Sequence, residues 1–220
     1  MHEEIRQVTV GGGKRTFAEV QAVAAATGAA GDFRPRASAR PSDAWVFDTV
    51  HSSIAFSVRR MVVARVRGQF TKWRGSMFFD PARPVEAEVS VHIDAVSIDT
   101  GFPERDAHLR SADFLHADAH PSITFKSAGV RDLGQGRFAI TGALQIRGQT
   151  REVVLDASYH GLVRDKWGND HLGFAAKTQI ARSDFGLRWN EVLPTGELFV
   201  GEEIEISIEI EATRLPARPV

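Results

Sequence analysis

The sequence predicts an all-β domain of eight antiparallel strands. Three observations carry this. Residues Ile204-Glu205-Ile206-Ser207-Ile208-Glu209-Ile210-Glu211 alternate strictly, so every isoleucine falls on one face of a strand. The same period of two recurs at 89–93, 123–125 and 138–146, four further segments bring the candidate strands to eight, and the connections between them are mostly short and rich in turn residues. Strands with one apolar and one polar face must hide the apolar face. Closing into a barrel does so and removes the exposed edges, with an eight-stranded sandwich as the alternative on pattern alone.

Taken in order, residues 1–44 stand apart as an N-terminal extension and linker. They hold Gly11-Gly12-Gly13, an alanine-rich run and a Pro/Arg/Ser/Ala stretch from Arg34 to Ser42. Thr16 and Glu19 have capping-box spacing, and Phe17, Val20 and Val23 follow at helical intervals before Gly28, which predicts a short helix over 17–27. The strands are expected at 53–60, 66–79, 89–93, 123–125, 138–146, 152–163, 172–180 and 204–211. Asp80-Pro81, Leu133-Gly134-Gln135-Gly136 and Trp167-Gly168-Asn169-Asp170 punctuate them. The longer break from Thr100 to Pro121 holds Pro103-Glu104-Arg105-Asp106-Ala107-His108-Leu109-Arg110, with proline where a helix can begin. Ser183 to Gly201 has room for a helical turn around Asp184 to Trp189, and 216–220 reads as a tail.

Composition narrows the chemistry. The 220 residues are 43% hydrophobic and 25% charged, enough for a core. A net charge of -1 gives no reason to expect nucleic acid as a partner. Cysteine is absent, which excludes disulfides, thiolate nucleophiles and cysteine-ligated metals. No stretch is long and apolar enough to span a membrane as a helix, and MHEEIRQVTV lacks the basic start and apolar core of a secretory signal, so a cytoplasmic chain is expected.

Motifs of catalysis are weak. His116 and His120, with His108 and Asp106 upstream, form the densest histidine group, but nothing in their spacing fixes ligand directions, and a solvated loop with no metal is the expectation. His51-Ser52-Ser53 and Ser183-Asp184 do not resemble a nucleophile elbow. Gly11-Gly12-Gly13-Lys14 lacks the spacing of a phosphate-binding loop.

Charge and aromatic content say more. Between Asp48 and Asp80 no acidic residue occurs, while Arg59, Arg60, Arg65, Arg67, Lys72 and Arg74 do; Glu202, Glu203, Glu205, Glu209 and Glu211 load the last strand. Cross-strand pairing on the outer face is the simpler reading of the arginines, and an anionic head group at a barrel mouth is the functional one. The 14 phenylalanines, most of them past residue 45, exceed what a tightly filled small barrel needs and suit the wall of an apolar pocket.

From Trp45 to Leu215 the chain resembles the YceI-like family of bacterial lipocalin-like proteins. The resemblance rests on Asp48-Thr49-Val50-His51-Ser52, Phe56-Ser57-Val58-Arg59, Val66-Arg67-Gly68-Gln69-Phe70, Ser97-Ile98-Asp99-Thr100-Gly101 and Arg105 to Ser111 with Asp113-Phe114. It continues through Ile123-Thr124-Phe125, Ile146-Arg147-Gly148-Gln149-Thr150-Arg151, Trp167-Gly168, Arg182-Ser183-Asp184-Phe185-Gly186-Leu187 and Val200-Gly201. Arg60 departs from the family's usual histidine, and residues 1–44 look like neither a family domain nor the signal peptide that members often carry into the periplasm.

The resemblance implies an extended eight-stranded barrel whose channel holds an amphiphilic lipid, a prenyl quinone, prenyl pyrophosphate or fatty-acid-like chain, with no other cofactor and no catalysis. Strand parity and these motifs choose Phe56, Val58, Phe70, Met77, Leu109, Phe114, Phe125, Leu144, Phe174 and Phe185 as channel residues. His51, Arg59, Arg105 and Arg147 are the head-group candidates. Transient membrane contact and a homodimer are compatible partners. An enzyme acting on such a lipid, using His51, Asp106 and His108, and a partner-binding module with a merely structural barrel are the competing readings.

Overall fold

The computed structural model describes residues 7–10, 13–16, 44–61 and 63–214, in two units, Met1–Ser38 and Ala39–Val220. In the first, β1 (Gln7–Val10) and β2 (Gly13–Thr16) pair antiparallel. Thr16 ends β2, and the helix expected over 17–27 lies outside the described residues, as does the tail at 216–220.

The second unit holds β3 (Ala44–Phe47), β4 (Ser53–Arg60), β5 (Ala64–Phe70), β6 (Trp73–Phe78), β7 (Glu88–Asp94), β8 (Ile98–Asp99), β9 (Ser122–Gly134), β10 (Arg137–Ile146), β11 (Gln149–Arg164), β12 (Asp170–Ala181) and β13 (Val200–Arg214). A helix, α1 (Pro103–Arg110), fills the long connection after β8 and starts on the proline. All pairings are antiparallel, and the β12–β13 pairing closes the sheet on itself. The result is a closed eight-strand barrel rather than a sandwich, because β3 with β4, β5 with β6, and β7 with β8 each act as one broken strand.

The expected single strand at 66–79 is therefore two. At Thr71 and Lys72 the chain turns a corner: the Thr71 amide donates to the Ser97 carbonyl and the Lys72 carbonyl accepts from the Asp94 amide, each at 3.0–3.1 Å. The breaks at 48–52, 71–72 and 95–97 lie on neighbouring strands, so the wall bends there along one line. Beyond β12 the expected helical turn is a 3₁₀ turn at Arg182–Phe185, ended by Gly186 at φ 74°.

Ile204, Ile206, Ile208 and Ile210 all face inward. At the end of the barrel where β3, β6 and the β11–β12 turn meet, Trp45, Phe47, Met77, Phe79, Leu172 and Ala212 are packed into a buried cluster, and the Trp45 indole N–H donates to the Phe79 carbonyl at 3.0 Å. That packing makes this the closed end. At the opposite, helix end lie α1, the turn between β10 and β11, and the 186–199 loop.

On the outer face of the closing seam His171 bridges two carboxylates, its Nδ1 2.7 Å from Glu211 Oε1 and its Nε2 3.2 Å from Asp165 Oδ2. Partial burial pulls the imidazole pKa down, but hydrogen bonds and charge from Asp165 and Glu211 outweigh it, so the net shift is upward. A pKa raised in the folded state gives stability that is fully present below the unfolded value of about 6.5 and is lost as pH rises through the folded value. In chelator-treated buffer, the stability difference between the wild-type chain and His171→Gln is expected to shrink from pH 6 to pH 8. Denaturation midpoints across that range check it; a difference that stays constant or grows would refute the role of the imidazolium.

Candidate functional site

The barrel interior holds a long cavity of about 230 Å³. Its wall runs from Phe79, Phe138 and Phe174 near the closed end to Val58, Leu109, Phe114, Leu187 and Val200 near the helix end. At about 3.3 Å per residue and a tilt of roughly 40°, the stretch of β13 from Val200 to Ile210 gives it a length of about 25 Å.

Three of its phenylalanines keep their places because glycines lie opposite. Phe56 rests over its cross-strand partner Gly68, Phe47 over Gly75 and Phe125 over Gly142. A Cβ on Gly142 would stand 2.5 Å from the Phe125 ring and 2.6 Å from the Lys126 carbonyl oxygen. Any larger residue there must push the ring into the cavity or distort the strand.

Of the 39 lining residues only Thr178 and Arg182 have polar side chains. Both bond to the backbone. Thr178 Oγ1 donates to the Val154 carbonyl at 2.9 Å. Arg182 donates from Nη1 to the Leu187 carbonyl at 2.6 Å and the Trp189 carbonyl at 2.8 Å, and from Nε to the Gly201 carbonyl at 3.1 Å. The Arg182 side chain is buried, and desolvation lowers its pKa while the Glu202 carboxylate, 3.7 Å from Nε, opposes that. What reaches the cavity from this arginine is mainly its hydrocarbon stem.

Nine of the ten sequence-chosen channel residues, Phe56, Val58, Phe70, Met77, Leu109, Phe114, Phe125, Leu144 and Phe174, line the cavity. Phe185 does not. The 3₁₀ turn after β12 ends the strand's two-residue period, and Phe185 is buried in the core beside the cavity.

None of the four head-group candidates lines it either. His51 pairs with Asp48 on the outer wall, 2.9 Å apart. Arg59 follows Val58 on β4 and so faces outward, with its Cβ over Gly201. Arg105 wraps onto its own loop, donating to Thr100 Oγ1 at 2.7 Å and the Thr100 carbonyl at 2.9 Å. Arg147 is a clamp: with Gly148 it forms the two-residue turn between β10 and β11, both at positive φ (49° and 72°), and it donates to the Gly186 and Ala112 carbonyls at 2.8 Å. Its charge holds three loops of the helix end together.

Sequence reasoning passed over Arg182, although parity reaches it, since Phe174, Ala176, Thr178 and Ile180 line the cavity at alternate positions before it. It also missed the aromatic contact between the two long connections: His108 packs edge-on against Trp189 and Phe114 at 4.7 and 5.0 Å between ring centres, and Trp189 continues to Phe199 at 6.5 Å. His116 and His120 meet ring to ring at 5.7 Å. Asp106 is the buried residue of α1, accepting from the Thr100 amide at 2.9 Å, and together with His108 it lies at the helix end, whereas His51 lies beside Glu211 toward the closed end.

A cavity of this kind inside a long antiparallel barrel makes the protein a container with an apolar interior. The YceI-like domain model matches residues 45–212, and the chain belongs to that family. A UPF0312 protein of Vibrio cholerae is 38% identical over 146 residues, 66% of this chain and 77% of its own, and one from Azotobacter vinelandii is 35% identical over 164 residues, 74% and 82% of the two chains. Among solved structures, the Campylobacter jejuni YCEI protein is similar at a TM-score of 0.63 and 28% identity, covering 72% of this chain and 90% of that one. Burkholderia cenocepacia BcnA shares the fold at a TM-score of 0.66 and 24% identity, over 76% of this chain and 99% of that one.

Replacing Arg182 by methionine keeps the stem and deletes the donors. It strands the carbonyls of Leu187, Trp189 and Gly201 and is expected to cost about 3 kcal/mol, read from denaturant midpoints. Arg182→Lys should recover only part of this, because one ammonium cannot reach all three acceptors. A loss below about 0.5 kcal/mol would show that water replaces the guanidinium freely.

Proposed function

We propose that the barrel binds and carries or stores a long-chain isoprenoid lipid without acting on it chemically. The observation that carries this is the cavity wall: long, apolar, and with both of its polar side chains already bonded to backbone. Filling such a space with hydrocarbon gains roughly 0.8 kcal/mol per methylene buried, whereas leaving it empty forfeits packing worth several kcal/mol. An extended chain advances about 1.2 Å per bond, as the polypeptide does over its own three bonds per residue, so about 20 bonds fit end to end. A domain of Saccharophagus degradans described as polyisoprenoid-binding has the same fold, at a TM-score of 0.59 and 14% identity, covering 78% of this chain and 98% of that one. That likeness supports a container; the lining supports what it contains.

The same lining supports a head group that stays outside the cavity. A pyrophosphate needs unspent donors, and a quinone needs at least one; the wall supplies neither. The chain then enters tail first from the helix end, since the other end is packed shut by Trp45, Phe79 and Leu172. Exposed Val63, Phe102, Val192 and Leu198 surround that entrance and suit brief contact with a membrane that supplies the lipid.

Organic extracts of the purified full-length chain are expected to contain a polyprenyl-chain lipid near one equivalent by mass spectrometry. Ile206→Trp, which fills the middle of the cavity, should lower that load at least tenfold while preserving the β-type circular dichroism spectrum. A wild-type chain that yields no such lipid and takes none up from polyprenol micelles would overturn the proposal, as would an unchanged load in the folded variant.

A further inference from the structure

Away from the cavity, on the outer wall at the closing seam, three potential metal ligands converge. Asp48 and His51 lie in the turn between β3 and β4, and Glu211 lies beside them on β13. One ligating atom from each falls within 4.8 Å of the others. The backbone fixes this juxtaposition: the Asp48 amide donates to the Glu211 carbonyl and the Glu211 amide to Ser52 Oγ, both at 2.8 Å.

Glu211 is also supported from behind. Its Oε1 meets His171 Nδ1 at 2.7 Å, His171 Nε2 meets Asp165 Oδ2 at 3.2 Å, and Asp165 accepts from the Trp167 and Asn169 amides and from Asn169 Nδ2 at 2.8–2.9 Å. A carboxylate held by a histidine that is itself held by a carboxylate is the kind of outer support that orients metal ligands. Nearby Asp170 has its own cations, Arg164 and Arg214, at 2.8 and 2.9 Å. Among the described residues, the cations paired with Asp48, Glu211 and Asp165 are the two imidazoles, which carry at most one positive charge each, and a dication would balance the three carboxylates.

We propose that Asp48, His51 and Glu211 form a binding site for a divalent transition metal of the zinc class, completed by water, that staples the β3–β4 turn to β13. An imidazole nitrogen beside two carboxylates suits zinc, cobalt or nickel over calcium or magnesium, which take oxygen ligands. Ligand bonds of about 2.0–2.2 Å require the three atoms to close to roughly 3.4 Å of one another. His51, with its side chain 63% exposed, is free to turn its ring off Asp48 and do so.

The test is a Co²⁺ titration of the tag-free, chelator-stripped full chain, followed by visible absorption and reversed with Zn²⁺. One saturable equivalent is expected, with a d–d spectrum abolished by excess Zn²⁺. His51→Ala and Glu211→Gln should each weaken it at least tenfold, His171→Gln roughly tenfold through loss of support, and the double variant His116→Ala, His120→Ala not at all. Zn²⁺ should raise the melting temperature of the wild-type chain but not of His51→Ala, whose exposed position leaves folding intact. Absence of saturable binding, unchanged binding in His51→Ala, or loss of binding in the His116, His120 double variant would overturn the proposal.

Discussion

The structure turns on one constraint: a ring of inward apolar side chains must be kept from water around a space that the protein itself does not fill. Ile204, Ile206, Ile208 and Ile210 on β13, Phe125 on β9 and Leu144 on β10 all face that space, and none is polar. Hydrogen bonding alone would let the strands form a sheet, but an open sheet would wet this face. Closure at the β12–β13 seam protects it from the side. The ends need separate solutions, and the two ends differ.

At one end the solution is packing. Trp45, Phe79 and Leu172 fill the bore, and the Trp45 indole satisfies its only donor on a backbone carbonyl, so a large aromatic is buried without a stranded polar group. At the other end it is a set of connections fastened by arginines and rings. Arg147 ties the β10–β11 turn to the loops at Ala112 and Gly186, Arg182 gathers Leu187, Trp189 and Gly201, and Trp189 packs on His108. Loops tied at points, rather than packed throughout, can open locally at far less cost than strands. This asymmetry leaves one end packed and the other held by tied loops.

The strands and their inward faces were legible in the sequence because their signal is periodic: alternation specifies which face is inward, and a one-residue slip would reverse it, whereas the choice of barrel over sandwich came from the family resemblance. The same parity placed Phe56, Phe125 and Phe174 on the wall. It failed where the backbone leaves the strand. Phe185 sits in a 3₁₀ turn, and Trp73 to Phe78 lies past a corner that depends on bonds to Ser97 and Asp94, residues far along the chain. The arginines stand off the wall for another reason. Charge suggests a ligand, but Arg105 and Arg147 spend their donors on carbonyls that only the folded loops present. Arg182 was within reach of parity and was missed because a charged residue was not sought on an apolar wall.

The orientation of the bound chain tests this account most directly. In a variant keeping Trp45 as its sole tryptophan, fluorescence should be quenched by a long-chain lipid brominated near its tail and spared by the same lipid brominated beside its head. Tail-first entry toward a floor at Trp45 predicts that contrast. Equal quenching from both positions, quenching from the head position alone, or no quenching from a lipid shown to be bound would contradict it.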